Sequence, residues 1–275
     1  MARHKRQKKL FILGITSDIG LYLARQYSLK GWKIYGSYKN IKASKSLPKN
    51  WKTKRCDLGN ENDINRLVIY LKKNNCKWNL WINAIGLLEP IGPFFFLKYK
   101  KWINSFTINC LSPLIILHKT WALRSKTDMT NVLFFAGAGT NGPASNYSAY
   151  CLAKICLIKM VELLHFENKK TNFFIVGPGI VKTKIHCQTI KSANSAGENL
   201  KKIVKALKDP NKGTPMSDIF NCLQWCIHSG RSVCGGRNIS LVFDSWKNSK
   251  KNLNKQLRNH PDMYRLRRFG NASPK

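Results

Sequence analysis

A tyrosine and a lysine sit four residues apart in Tyr150-Cys151-Leu152-Ala153-Lys154. On a helix, positions i and i+4 share a face. An ammonium one turn from a phenol favours the phenolate and draws the phenol's pKa down towards working pH. Such a phenol can act as general acid or base. The plain alternative is a half-exposed helical face with no chemistry. Tyr147 offers no such pair, because Cys151 stands four residues on. A second stretch, Gly14-Ile15-Thr16-Ser17-Asp18-Ile19-Gly20, joins an apolar run to a helical pattern. Glycines there let a backbone approach a pyrophosphate, and a helix N-terminus presents free N–H groups to it. Thr16 and Ser17 can add hydroxyl donors. Asp18 stands where the middle of three glycines is usual, and it can equally be a helix cap. A glycine-bearing turn with no ligand is the plain alternative.

The elements that must position these groups alternate along the chain. Short apolar runs at 10–13, 32–36, 51–56, 80–84, 131–135, 172–176 and 238–242 read as strands. Helical spacing is evident through Leu21 to Tyr27, where Gly31 stops it, and over 62–73, 102–124, 148–167 and 216–228. Pro113 must kink the 102–124 helix or sit where a neighbour compensates. Strand-then-helix repetition implies an α/β fold: a doubly wound parallel sheet in a three-layer α/β/α single domain. The expected division is a basic N-terminal tail over 1–8, the domain over 9–245, and a basic, surface-lying C-terminal tail over 246–275.

Composition narrows the partners. Lys and Arg number 48 against 13 Asp and Glu, a formal charge of +35. That field attracts anions. The lysines, however, are spread along the chain with asparagine, as in "KNSKKNLNK", and form no single stripe. Nucleic-acid binding is therefore expected only non-specifically, by charge. The nine cysteines form no C-x-x-C pair, so no metal site is expected. Their odd number, with no secretory pattern ahead of them, fits reduced thiols and a cytoplasmic location. No run is long enough to span a membrane.

In order and spacing, these features resemble the short-chain dehydrogenase/reductases, from about Lys9 to about Val242. The resemblance rests on Gly14–Gly20, Asp57 after the third strand, and Asn83-Ala84 ending the fourth. It extends to Asn109 in the long helix, Tyr150 with Lys154, and Pro178-Gly179 with Thr183. It implies a Rossmann-type, nicotinamide-dependent oxidoreductase that interconverts a small-molecule carbonyl and an alcohol. Gly14, Thr16, Ser17, Ile19 and Gly20, with Asp18 beside them, would cradle the pyrophosphate. Asp57 and Leu58 would meet the adenine, although Asp57 can also be read as a helix N-cap. Asn83 and Ala84, with Gly86 near them, would lie beside the ribose. Ile85 departs from the glycine of the family pattern. Asn109 would hold a water in the proton relay ending at Lys154, which would also bond the nicotinamide ribose. Pro178, Gly179, Val181 and Thr183 would border the nicotinamide.

The chain departs from the family where a serine should polarise the substrate oxygen. The stretch Phe134-Phe135-Ala136-Gly137-Ala138-Gly139-Thr140 has none. Ala136 is taken to occupy the position, and Thr140 is the candidate substitute. Losing one such donor costs about 10²–10³ in rate. A dinucleotide-binding protein without turnover, acting as sensor or scaffold, is thus the second reading. At the end of the second strand, Ile34-Tyr35-Gly36-Ser37-Tyr38-Lys39 carries no acid to bind a ribose diol. Ser37 and Lys39 would receive a 2′-phosphate, which favours NADP(H), with NAD(H) the alternative. Similarity around "NYSAYCLAKICLIKMVELL" and "GGRNISLVFDSW" suggests a subgroup acting on sugar or surface-polysaccharide precursors.

Three further groups admit two readings each. His186, near a lid from 184 to about 210, would touch substrate or face solvent. Phe94-Phe95-Phe96 would line a pocket mouth or pack under a loop. Arg265, Arg267 and Arg268 would clamp a phosphate or lie in a solvated tail. In this family the helices 102–124 and 148–167 pair subunits, which implies a homodimer or homotetramer.

Overall fold

The computed structural model describes residues 7–248 and 251–268. The first half contains β1 (Lys9–Leu13), α1 (Asp18–Leu29), β2 (Lys33–Tyr38), the short α2 (Ile41–Ser44), β3 (Lys52–Arg55), α3 (Glu61–Lys73) and β4 (Leu80–Asn83). Next, α4 (Tyr99–Phe106) passes through a π-helical turn, Thr107–Leu111, into α5 (Ser112–Thr120). Then come β5 (Thr130–Phe135), α6 (Ser148–Glu167) and β6 (Thr171–Gly177). An excursion of α7 (His186–Lys191), α8 (Ala193–Ala196) and α9 (Glu198–Lys208) precedes α10 (Met216–Ser229) and α11 (Arg231–Cys234). The last elements are β7 (Asn238–Ser240) and α12 (Leu253–Asn259).

The seven strands form one sheet in the order β3-β2-β1-β4-β5-β6-β7, parallel throughout. The chain builds outward from β1 to one edge, then returns to build the other. The crevice at such a reversal, outside the carboxyl ends of the strands, is where ligands bind in open α/β sheets. The residue alternation of β1 shows how the layers form. Leu10 and Ile12 face one way, into a core shared with Leu23 of α1 and Leu223 of α10. Phe11 and Leu13 face the other, into a core shared with Leu67 of α3 and with Leu157 and Val161 of α6. All nine of these side chains are fully buried. Each stabilises the fold by about 1.5–3 kcal/mol relative to exposure.

Two expectations need correction. The helix over 102–124 is not continuous. It begins earlier, at Tyr99, and the π turn divides it. The turn places Pro113 in the first turn of α5, where its missing N–H costs little. The second correction concerns the stretch after 245, expected as a surface tail. Trp246, Leu253 and Leu257 are buried in the core. Leu253 and Leu257 are four residues apart, a helical spacing that the surrounding lysines and asparagines obscured. Arg237, 3% exposed, holds this segment down. Its Nε donates to the carbonyl of Met263 (3.0 Å), and its Nη2 to Leu257 (2.5 Å), His260 (3.3 Å) and Pro261 (3.3 Å). Its Nη1 donates back to Val233 (2.6 Å). Most of the expected N-terminal tail, residues 1–6, lies outside the described residues, as do 269–275. No described helix is long and apolar enough to cross a membrane.

Candidate active site

The glycine turn is shaped by close packing. Gly14 has φ +82°, and a Cβ there would lie 2.6 Å from Ile85 Cδ1 and 3.3 Å from the Ala84 carbonyl oxygen. Only glycine meets both conditions without strain. Ser17 is the N-cap of α1, its Oγ accepting from Gly20 N at 3.0 Å. Asp18, read as a possible cap, instead lies in the first helical turn with its carboxylate engaged by Lys184. Its Oδ2 accepts from Lys184 N at 2.7 Å, and its Oδ1 lies 3.5 Å from Lys184 Nζ. Ser37 is buried and accepts from Gly14 N at 3.3 Å. It therefore braces the turn and at the same time lines the cleft beside Lys39.

At the far end of the turn, Lys39 Nζ pairs with Asp57 Oδ2 at 2.9 Å. Asp57 Oδ1 also accepts from Gly59 N at 3.1 Å. Partial burial works against its charge, but the bonds from Lys39 and Gly59 outweigh this and hold its pKa below the usual range. The N-cap of α3 is Asn60, which accepts from Asp63 N at 3.1 Å. Asp57 is thus free of the capping role that sequence allowed it. Leu58 is buried beside it.

One cleft of about 1360 Å³ runs along the carboxyl ends of the strands. That exceeds the roughly 300–1,000 Å³ of a typical small-ligand pocket, as a site holding two molecules requires. It gathers Gly14, Thr16, Ser17, Asp18, Ile19, Lys39, Asp57, Leu58 and Ala84 with Tyr150 and Lys154. Ala136, Thr140, Pro178, Gly179, Val181, Thr183 and His186 also line it. Gly20, Asn83 and Asn109 stand behind the wall. Asn83 is fully buried, its Oδ1 accepting from Ile85 N at 3.2 Å, and its Nδ2 has no partner among the described residues. Asn109, in the π turn, clamps Leu87: Oδ1 accepts from Leu87 N (2.9 Å) and Nδ2 donates to Leu87 O (2.8 Å). The same Nδ2 donates to Ser105 O at 2.9 Å.

Lys154 is 1% exposed, and its Nζ donates to Ile85 O at 3.1 Å. The ammonium lies 5.5 Å from the centroid of the Tyr150 ring. Burial pulls its pKa down to about 8. Tyr150 moves the opposite way: burial, then the neighbouring Cys151, raises its pKa above the ordinary phenol value. The lowering expected from Lys154 is not found, because burial of the phenol decides the direction. Tyr150 is held as a neutral phenol, the form that gives a proton.

The structure relocates the missing serine. Ala136 is buried in the core between sheet and α6. A Cβ on Gly137, by contrast, would lie 2.6 Å from the Tyr150 hydroxyl oxygen. Gly137, not Ala136, is the position facing the phenol. Sequence spacing alone did not resolve two adjacent small residues. Thr140 Oγ1 donates to Gly137 O at 3.4 Å, a long bond that turns its hydrogen towards backbone. His186 is half-buried, not solvent-facing. Its Nε2 lies 2.9 Å from Val181 O while its Nδ1 is buried without a partner among the described residues. Burial holds its pKa below the usual value. Phe95 and Phe96 are exposed and Phe94 packs edge-on against Trp102, all outside the cleft lining. Arg267 is engaged by Glu162 (2.7 Å) and Asp262 (2.7 Å). Sequence reasoning missed Gln188, whose Oε1 accepts from Leu88 N (2.9 Å) and Glu89 N (3.1 Å) across the cleft rim. No residue pattern in the loop signalled it.

The residues present fit a dinucleotide. Gly14, at φ +82° and too closely packed to carry a Cβ, shapes a turn whose residues Gly14 and Thr16–Ile19 line the cleft with bare or short side chains at the N-terminus of α1. Lys154 has three N–H donors and uses one on Ile85. Comparison with known proteins agrees. The family model for enoyl-(acyl carrier protein) reductases matches residues 14–217. A 3-amino-tetrahydro-pyrrolizinone reductase of Xenorhabdus hominickii is 24% identical over 186 residues. That match takes in 65% of this chain and spans 63% of the relative's length. A short-chain dehydrogenase/reductase of Saccharomyces cerevisiae superposes with a TM-score of 0.75 at 21% identity, covering 88% of this chain and 98% of that one. A Shigella flexneri short chain dehydrogenase complexed with NADP gives a TM-score of 0.69 at 17% identity, with 86% and 97% covered.

Proposed function

Since this chain belongs to the short-chain dehydrogenase/reductase family and is an oxidoreductase, we propose that it interconverts a carbonyl and an alcohol with NADP(H). What carries the reading is the meeting, in one cleft, of the Gly14 turn with the Tyr150–Lys154 pair. A bound nicotinamide would supply or accept the hydride. In reduction, Tyr150, held as a phenol, gives its proton to the substrate oxygen. Lys154 steadies the phenolate left behind through the ring face. In oxidation the transfers reverse. Gly137 offers no hydroxyl, so Tyr150 alone supplies the side-chain hydrogen bond to that oxygen. Asn109 fixes Leu87 and so the loop whose Ile85 carbonyl holds Lys154.

Lys39, 67% exposed at its side chain and paired with Asp57, favours a 2′-phosphate, and the end of β2 itself carries no acid to bind a ribose diol. NAD(H) is the alternative. Lys202 and Arg265 on the substrate side of the cleft suit an anionic sugar precursor. Exposed Ile103, Leu111 and Ile115 on the α4–α5 run, with Leu152 and Leu163 on α6, support a homo-oligomer. The nine free cysteines support a reducing, cytoplasmic setting.

Fluorescence titration with NADPH and NADH tests the reading. NADPH should bind more tightly, and Lys39→Ala should narrow the gap by about 3- to 10-fold, a modest effect because the charge is exposed. Binding of neither nucleotide would end the proposal. A pH profile gives a second check. The folded pKa of Lys154 is depressed to about 8, so its cation is present below that value and lost above it. In the reductive direction kcat/KM, which reports the free enzyme, should fall as pH rises through about 8. A profile flat from 7 to 9.5 would remove Lys154 from the mechanism.

A further inference from the structure

The segment after β6 is fastened at three places. The Lys184 amide and ammonium meet Asp18 on the glycine turn (2.7 and 3.5 Å). Gln188 of α7 holds the Leu88 and Glu89 amides (2.9 and 3.1 Å). The buried Thr189 hydroxyl meets Tyr147 Oη at the start of α6 (2.8 Å). Of the three, only the first joins this segment to the cofactor seat. It is also made by the residue that breaks the three-glycine pattern.

A carboxylate at that place is an odd choice for a phosphate cradle. The N-terminus of α1 favours anions, and a free Asp18 would compete with the two phosphates of a dinucleotide. In the structure its oxygens are instead committed to Lys184. We propose that Asp18 is a positioning residue, not a cofactor ligand: it ties the lid over 184–191 to the glycine turn and thereby couples lid order to dinucleotide retention. The inference rests on the dinucleotide reading above. With the lid shut, the Asp18 carboxylate is engaged and partly neutralised by Lys184. When the lid lifts, the carboxylate loses both partners and stands beside the phosphates, which favours release. Opening and cofactor release thus promote each other, as linkage requires.

Hydrogen exchange of the 184–191 amides in the cofactor-free protein tests the tie directly. Asp18→Ala removes the acceptor and should speed their exchange about 10- to 100-fold, the worth of a hydrogen bond to a charged group. Asp18→Asn keeps an oxygen acceptor and should restore slow exchange. Lys184→Ala keeps the backbone donor and should stay within a few-fold of the parent. With NADPH bound, the parent lid should slow further. In Asp18→Ala that extra protection should largely vanish, and KM for substrate should rise more than kcat falls. Unchanged lid exchange in Asp18→Ala overturns the proposal. So does failure of Asp18→Asn to rescue it, or loss of NADPH affinity in Asp18→Ala with the lid still protected, which would mark a direct ligand. If the parent protein bound neither nucleotide, the oxidoreductase reading would fall, while the lid measurement would still decide the tie.

Discussion

Replacing Tyr150 with Phe should lower kcat/KM for carbonyl reduction by about 10²–10⁴-fold, the usual worth of a positioned general acid, and leave NADPH affinity nearly intact. The ring's place is set by packing that Phe retains, because its flank lies over the bare backbone of Gly137. Among the described residues the hydroxyl donates to no protein group, so its removal leaves nothing unsatisfied and the fold unstrained. Only the proton donor is lost. The effect should be large because the position beside the phenol offers no second hydroxyl among the described residues: Gly137 has no side chain, and Thr140 turns to the Gly137 carbonyl. Steady-state reduction assays on a panel of aldehydes and ketones, run beside a fluorescence titration, measure both quantities. Turnover within threefold of the parent would mean that the proton comes from elsewhere, and the assignment of the pair would be wrong.

The largest stability effect is expected at Arg237. Its guanidinium is 3% exposed and donates to carbonyls of Val233, Leu257, His260, Pro261 and Met263. Burial presses its pKa below the usual arginine value, but every arm of the fork finds an oxygen. Arg237→Met keeps most of the apolar stem and removes all five donor positions. The carbonyls near α12 then lose their partners in a site water reaches poorly. Charge-assisted bonds contribute about 1.5–3 kcal/mol each in isolation and are not additive, so a total of about 3 kcal/mol is the expected loss. Urea unfolding of the two proteins measures it, and exchange at α12 should rise before that of the central strands. A loss under 1 kcal/mol would mean that Leu253 and Leu257 seat the segment without the arginine.

Fold and site were unequally legible in the sequence. The strands declared themselves because a parallel sheet is buried on both faces and reads as unbroken apolar runs. The Leu10–Leu13 run and the run around Phe134 are of this kind. Tyr150 and Lys154 were legible because four-residue spacing has a fixed meaning on a helix. Asp18 and Gln188 were not, because their partners lie 166 and 100 residues away, and no local pattern announces a hydrogen bond of that reach. The pKa of Tyr150 went the wrong way for a related reason. Spacing supplies the neighbour's charge, but burial, a tertiary quantity, decided the sign. The C-terminal stretch was misread because its lysines and asparagines dominate the composition, while two leucines do the anchoring.

The π turn at Thr107–Leu111 makes the site sensitive to chain length as much as to residue identity. Such a turn accommodates a single surplus residue in an otherwise ordinary helix. Each residue of an α-helix turns the chain through about 100°, so the stretches on either side of the turn are out of phase by about that angle. Dropping one codon there would give a straighter helix containing every functional side chain, with Asn109 rotated off Leu87. A gene lineage can therefore lose this centre through a change in count that leaves its amino-acid repertoire intact.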